Sequence, residues 1–333
     1  MAIVLGIEGT AWNFSAAIVN EKKVITEVTK TYKPEKGGIH PREAAQHHAK
    51  YASTVIENLL KSAKEKGVCM DNIDGIAFSI GPGLGPCLRT VATTARMLSL
   101  LFKIPLIGVN HCLAHIEVGK WKTLVQDPIT LYVSGANSQI LGIRGSKYRV
   151  FGETLDIGLG NAFDKFARSV GLSHPGGPKI EEYAKNSLTY IPLPYSVKGM
   201  DFSFSGLTTA AIDSLKHNKL EAVCYSFQET SFAMLVEVTE RALAHTGKSE
   251  VLLAGGVGAN MRLREMLNIM CNDRGASFFV PENRFMGDNG AMIAYLGLLM
   301  LNNGDTIEID DSRVNPSFRP DAVPISWIKN SKD

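Results

Sequence analysis

Residues 129–155 read ITLYVSGANSQILGIRGSKYRVFGETL, three short runs rich in β-branched and aromatic residues parted by turns of small and basic ones. Residues 129–133 make one strand, Ser134-Gly135-Ala136-Asn137 its turn, 138–143 a second strand, Gly145-Ser146-Lys147 the next turn, and 148–155 a third. The chain opens the same way. Residues 3–7, 15–19 and 24–31 read as strands joined through a Gly/Thr/Asn turn and the charged Glu21-Lys22-Lys23. The elements beyond each meander also repeat. After the first come a helix opened by His40-Pro41 and running to Gly67, a strand at 73–79, the bend Gly81-Pro82-Gly83-Leu84-Gly85-Pro86, a helix at 89–102 and a strand at 104–109. After the second, helical pattern resumes near Gly160, a long helix covers 221–245 with Gly247 as its stop, and strand, glycine turn, helix and strand come next at 250–254, 255–260, 261–272 and 276–280. A doubled order of this kind predicts an α/β fold of two similar lobes. The expected division is 1–125 and 126–302. The second lobe carries a Pro/Gly/Ser-rich insertion at about 172–206, and part of the 303–333 tail packs back on the first. The closing helix at 289–301 is too short for a membrane span and is expected to be buried.

The 333 residues are 45% hydrophobic and 20% charged with a net charge of +2, which suits a globular protein and is too mild a balance to argue for nucleic acid by itself. Cys69, Cys87, Cys112, Cys224 and Cys271 are odd in number, scattered and without a Cys-x-x-Cys pair, so neither a disulfide framework nor a thiolate metal site is expected. The N-terminal apolar run is short and lacks a basic start, and no later run reaches the ~20 residues of a membrane span. A reducing, cytoplasmic setting without membrane attachment is the expectation.

Chemistry concentrates at Asn110-His111-Cys112-Leu113-Ala114-His115, just after the strand at 104–109. If a helix starts there, His111 and His115 stand one turn apart on one face, spaced to reach one ion, although a pair of ordinary helix histidines has the same spacing. Two imidazoles need a third ligand, and Asp288 is the nominee; at the start of the closing helix it would also serve as an N-cap. Two histidines with one carboxylate favour ferrous iron, with zinc the competitor. Three glycine-bearing turns, 6–10, 134–137 and 255–260, would face a cleft between the lobes, where free amides suit phosphate and glycine permits close approach. Neither the P-loop spacing nor a complete dinucleotide fingerprint is present, and the absence of His-Glu-x-x-His argues against a thermolysin-like peptidase. Asp164 and Glu181 flank the insertion as candidate ribose acceptors or as plain surface acids.

Eight motifs in order complete the reading: Gly6-Ile7-Glu8-Gly9-Thr10, Lys36-Gly37-Gly38-Ile39-His40-Pro41-Arg42-Glu43, the bend at 81–86, the segment at 110–115, Tyr132-Val133-Ser134-Gly135, His174-Pro175-Gly176-Gly177-Pro178, Phe202-Ser203-Phe204-Ser205-Gly206-Leu207 and Ala254-Gly255-Gly256-Val257. Together they resemble the universal tRNA threonylcarbamoyladenosine transferase family, from residue 3 to about 320, and the archaeal and eukaryotic-cytosolic branch within it, the catalytic subunit of the KEOPS complex.

The resemblance implies a duplicated fold of the actin, Hsp70 and sugar-kinase kind (ribonuclease H-like), with two lobes around a nucleotide cleft. It implies a metal-dependent acyltransferase that moves a threonylcarbamoyl group from threonylcarbamoyl-adenylate to the exocyclic amine of the adenosine beside the anticodon, in tRNAs reading codons that begin with A. It implies one divalent metal, Fe(2+) ahead of Zn(2+), at His111, His115 and Asp288 with the Tyr132 phenol nearby. An ATP- or AMP-type nucleotide or the donor is implied at Tyr132, Val133, Ser134, Gly135, Ala136, Asp164, Gly177, Glu181 and Asn260. No residue is implied as the catalytic base. Ala136 departs from the family's usual glycine, and would strain the turn if that position needed a positive φ. The implied partners are tRNA and the KEOPS kinase-like and small dimerising subunits; some relatives carry the kinase fused behind the transferase, so for this chain the kinase is expected either as a separate chain or as a fused part that has been removed. Two rivals remain open. A kinase or ATPase of this fold would favour aspartate where the chain has Glu8, and a metallopeptidase is decided by a cleavage assay.

Overall fold

The computed structural model describes residues 1–34 and 38–328, so Lys36 and Gly37 of the second motif and the last five residues of the tail lie outside the described residues. The chain begins with the meander β1 (Ile3–Glu8), β2 (Asn13–Asn20) and β3 (Val24–Thr31), and continues through α1 (Pro41–Glu65), β4 (Gly75–Gly81), α2 (Gly85–Phe102), β5 (Leu106–Asn110) and α3 (His111–Thr123). The second meander is β6 (Ile129–Val133), β7 (Ser138–Arg144) and β8 (Lys147–Glu153). After it come α4 (Leu159–Ser169), α5 (Gly176–Ala184), the small hairpin of β9 (Val197–Lys198) and β10 (Asp201–Phe202), α6 (Ser205–Ser214) and α7 (Leu220–Thr246). The last elements are β11 (Glu250–Ala254), α8 (Met261–Asp273), β12 (Ser277–Phe279) and α9 (Gly290–Asn302).

The doubling is visible in the strand order. One sheet runs β3-β2-β1-β4-β5 and the other β8-β7-β6-β11-β12, so β6 answers β1, β11 answers β4 and β12 answers β5. In each sheet the meander is antiparallel and the added strands are parallel to the first. Parallel neighbours need a crossover, which α1, α2, α7 and α8 provide. Helices on both faces explain why Val4, Leu5 and Ile7 of β1 are all fully buried instead of alternating with polar residues.

Two placements differ from expectation. Helix α2 begins at Gly85 and not at Arg89, because Pro86 in its first turn is compatible with the helix and lacks only an N–H that would have no partner there. Helix α9, assigned by chain order to the second lobe, packs against β1, β2, β4 and β5 of the first sheet. Its apolar residues run right round the helix, so it must be covered on every side. The cover comes from Val4, Ala17 and Ala77 of the first sheet and from α3, whose other neighbours include Tyr132, Leu252 and Ala254 of the second. One core thus runs through both sheets where α3 and α9 meet.

The tail runs along the first sheet. The Ile307 N–H donates to Leu106 O (2.9 Å), Arg96 Nε donates to Ser312 Oγ (2.7 Å) and the Asn315 N–H donates to Ile80 O (2.8 Å). Val323 and Ile325 are buried beside α9. Among the described residues no helix is long and apolar enough to cross a membrane.

Candidate metal centre and ligand cleft

Strand β5 ends at Asn110, whose Oδ1 accepts from the N–H groups of Cys112 (3.0 Å) and Leu113 (3.1 Å) and so starts α3 at His111. That cap fixes His111 and His115 one turn apart, with ring centroids 4.9 Å from each other. Asp288 arrives from the other end of the chain. It is not the cap of the closing helix, as the sequence suggested: Asn289 takes that place, accepting from the Met292 N–H (2.9 Å). The Asp288 carboxylate is left to face the imidazoles, with Oδ1 3.2 Å from His115 Nε2 and 3.6 Å from His111 Nε2. The three ligand atoms lie within 4.8 Å of one another. Bonds of ~2.1 Å allow donors up to ~4.2 Å apart across one ion, so both carboxylate distances suit a shared cation.

The group missed in the sequence is Glu8. This carboxylate, fully buried at the end of β1, places Oε2 3.1 Å from His111 Nδ1, while its Oε1 accepts from the N–H (2.7 Å) and the hydroxyl (2.6 Å) of Thr10. Its signal was available, because an acid closing an apolar strand covered on both faces must have a buried partner. With Nδ1 turned to Glu8, His111 presents Nε2 to Asp288, the carboxylate–imidazole support that orients metal-binding histidines. Burial alone would lower the His111 pKa, but the Glu8 charge and hydrogen bond and the Asp288 charge outweigh it and leave it at about 9. Burial would also raise Asp288, but the His115 hydrogen bond and both imidazole charges hold it below the usual carboxylate range. Burial keeps the His115 pKa below its ordinary value. Two imidazoles and a carboxylate, backed by a second carboxylate, fit a divalent ion. Glu8→Gln removes one charged acceptor at constant size and is expected to weaken retention of that ion ~10–100-fold in chelator competition and, because it takes away the charge that holds the His111 proton, to lower Tm in excess chelator below pH 9 as well.

In front of this cluster opens a cavity of about 1290 Å³, larger than the ~300–1,000 Å³ usual for small-molecule sites. His111 and Asp288 form part of its wall, and so do Ser134, Gly135, Ala136, Asp164, Gly177, Glu181 and Asn260. Tyr132 and Val133 do not: β6 is covered on both faces, so both side chains are wholly buried behind the turn they precede. Tyr132 instead lays its ring 5.4 Å from that of His115, and burial raises its phenol pKa well above the ordinary value. His115 too lies behind the wall. The turn after β6 is tied to α4 by the N–H groups of Gly160 and Asn161 donating to the carbonyls of Ser134 (3.1 Å) and Gly135 (2.9 Å). Ala136 is exposed and has no positive φ, so the alanine adds a methyl and no strain. Gly255, by contrast, has φ +89° and would set a Cβ 2.4 Å from Val133 O.

The polar groups of the second lobe are partly committed. Asp164 accepts from the Gly176 N–H (2.6 Å), Glu181 from the Met261 N–H (3.0 Å), and Asn260 Oδ1 from the N–H groups of Arg262 (2.9 Å) and Leu263 (3.2 Å). Asn260 Nδ2 donates to Gln228 (2.8 Å), which leaves one amide hydrogen for a ligand.

The family model of tRNA N6-adenosine threonylcarbamoyltransferase matches residues 23–295. The chain belongs to that family. The threonylcarbamoyltransferase of Methanococcoides burtonii is 71% identical over 333 residues, covering 100% of this chain and 99% of its own. The probable bifunctional tRNA threonylcarbamoyladenosine biosynthesis protein of Methanosarcina mazei is also 71% identical, over 329 residues, but this chain spans only 60% of its length. Among solved structures, HypF of T. kodakarensis aligns with a TM-score of 0.65 at 13% identity, over 90% of this chain and 48% of that one. Component A of the Acidaminococcus fermentans (R)-2-hydroxyglutaryl-CoA dehydratase aligns with 0.55 at 10%, over 90% and 98%. Likeness at that identity concerns the fold, and it agrees with the duplicated actin-like, α/β architecture of this threonylcarbamoyltransferase-family chain.

Proposed function

We propose that the chain moves a threonylcarbamoyl group from threonylcarbamoyl-adenylate to the exocyclic amine of the adenosine beside the anticodon, in tRNAs that read codons beginning with A. What carries the reading is a pair of helical histidines and an aspartate set into the wall of a roomy cleft, in a chain of this family. The kinase and peptidase alternatives are not favoured by that membership.

The donor is a mixed anhydride, so the amine nitrogen attacks the carbamoyl carbon, the bond to the phosphate oxygen breaks and AMP leaves. Chemistry of this kind needs positioning and stabilisation of developing negative charge above all. His111, His115 and Asp288 would hold a divalent ion, Fe(2+) ahead of Zn(2+), with Tyr132 packed on His115. When bound there, such an ion supplies Lewis acidity toward a phosphate or carbamoyl oxygen. Amides of the turns 134–137 and 255–260 and of the α5 N-terminus at Gly177 would hold the phosphate. The second carboxylate oxygen of Glu181, and Asp164 Oδ2, which also faces His174 Nδ1 at 3.1 Å, would accept from ribose hydroxyls, and the last Asn260 amide hydrogen would reach the nucleotide. The first lobe, with α9 packed on its sheet, and the second would face the donor from the two sides of the cleft. Cytoplasmic action with tRNA and KEOPS-type kinase-like and small dimerising subunits completes the proposal.

The test is to incubate the purified protein, alone and with those subunits, with the donor and tRNA transcripts, and to digest the tRNA to nucleosides. Threonylcarbamoyladenosine in transcripts for A-starting codons and not in others is the expected product. Transfer of a labelled γ-phosphate from ATP, or cleavage of a peptide, in the absence of that nucleoside would overturn the proposal.

A further inference from the structure

Beyond the rim of the cleft, the end of β3 and the first half of α1 assemble an aromatic and basic surface that is scattered in the sequence. The Tyr32 ring lies 5.8 Å from the His47 ring, which lies 4.7 Å from that of Tyr51. Lys30 Nζ and Lys50 Nζ stand over the Tyr51 ring, 4.9 and 5.2 Å from its centroid. Both lysines are exposed, and among the described residues neither has a carboxylate at ion-pair distance. Lys33 and Arg42 beside them are also exposed, while the local acid, Glu43, accepts from the Tyr32 hydroxyl (2.5 Å).

We propose that this surface docks single-stranded RNA of the acceptor, its phosphates drawing Lys30 and Lys50 off the Tyr51 ring and a base taking their place against that ring beside His47. The proposal rests on the tRNA reading above and adds a place to it. Mobile ammonium groups held over partly buried rings supply the pairing that single-stranded nucleic acid uses, phosphate to cation and base to π-face. A protein partner fits less well, because among the described residues no large exposed apolar side chain lies in this patch; Met97, Leu100, Leu101 and Phe102 gather instead on the last turns of α2, and the others are scattered elsewhere. The position also suits. Gly38, Ile39 and His40 line the cleft and α1 starts at the next residue, so Tyr51 is about 15 Å further along the helix axis. His48, next to His47, is buried against Phe14, just beyond the turn that carries Glu8 and Thr10. A loop whose target adenosine enters the cleft would thus bring its neighbouring nucleotides over this face.

The experiment measures binding of the full chain to a tRNA transcript through a salt series, comparing K30E/K50E with K22E/K23E. The second pair makes the same change in charge in the exposed β2–β3 turn, at the opposite end of the strands. K30E/K50E is expected to bind roughly tenfold more weakly at 0.1 M salt, and its log–log salt dependence to be shallower by about 1.4, two single-strand contacts at ~0.7 each. K22E/K23E is expected to stay near wild type. Tyr51→Ala is expected to lose roughly tenfold through stacking; if it proves unstable, the exposed lysine pair alone carries the test. Metal content and donor KM should not move, and the loss should appear in KM for tRNA and not in kcat. Equal binding by the two charge-reversed proteins overturns the surface but leaves the activity standing, whereas a wild-type chain that binds no tRNA either alone or with the kinase-like and dimerising subunits removes the tRNA reading itself.

Discussion

His115→Ala is expected to empty the centre of its divalent ion and to lower transfer by at least roughly 10³-fold, more than the ~10–100-fold cost of losing a supporting group. The imidazole is 1% exposed and its Nε2 shares Asp288 Oδ1 with His111, so its loss removes a nitrogen ligand that the neighbouring Tyr132 phenol, kept protonated by burial, does not replace. Alanine leaves His111 and Asp288 as a two-ligand set, too few to hold an ion. The fold itself should survive, because α3 is started by the Asn110 cap and held by Leu113, Ile116 and Val118, none of which changes. The check is metal content after dialysis, transfer to tRNA, and Tm with and without chelator. Full occupancy in the variant, or wild-type transfer by a protein shown to be empty, would remove the assigned role.

Gly6→Ala is expected to act on the same centre from a distance. A Cβ at Gly6 would lie 2.2 Å from Ala294 N and 2.6 Å from its Cα, so β1 and α9 must part along their contact. Overpacking usually costs about 1–3 kcal/mol, and a clash with helix backbone, which cannot rotate away, belongs at or above the top of that range. The consequence reaches the site because Glu8 is two residues along β1 and Asp288 directly precedes the Asn289 cap of α9. A Tm lower by several degrees together with weakened metal retention is therefore expected, read by calorimetry and by metal analysis of the same sample. A normal Tm would mean that the helix and strand are not in close contact there.

The long-range plan of this chain was readable because it is written twice. Strand, turn, strand, turn, strand at 129–155 matches 3–31, and period-two and helical patterns need no knowledge of the partner surface. Adjacent residues with equal talents were not readable. Asp288 and Asn289 can both cap a helix, and only the placement of α9 against the first sheet gives the cap to Asn289 and frees Asp288. Spacing shows the histidine pair, yet no spacing rule spans the 173 positions from His115 to Asp288, which became legible through the ordered motifs. Tyr132 and Val133 fell behind the wall because β6 is buried on both faces, where alternation cannot say which side chain meets the cleft. The side to which α9 belongs could not be seen either, since a helix apolar all round carries no pointer to its neighbours.

That last placement has a consequence for how the molecule handles traffic. Glu8, His111, His115 and Asp288 all spring from β1, α3 and the entry to α9, segments knit into one block, while the groups proposed for phosphate and ribose hang from β6, α4, α5 and the tight turn from Gly256 to Asn260 on the opposite wall. Because α3 also packs on Tyr132, Leu252 and Ala254 of the second sheet, any swing of the walls would hinge at the ion's own anchors, and the far rim would open to release a spent nucleotide. An ion held by His111, His115 and Asp288 would sit at that hinge, and reactants would come and go past it.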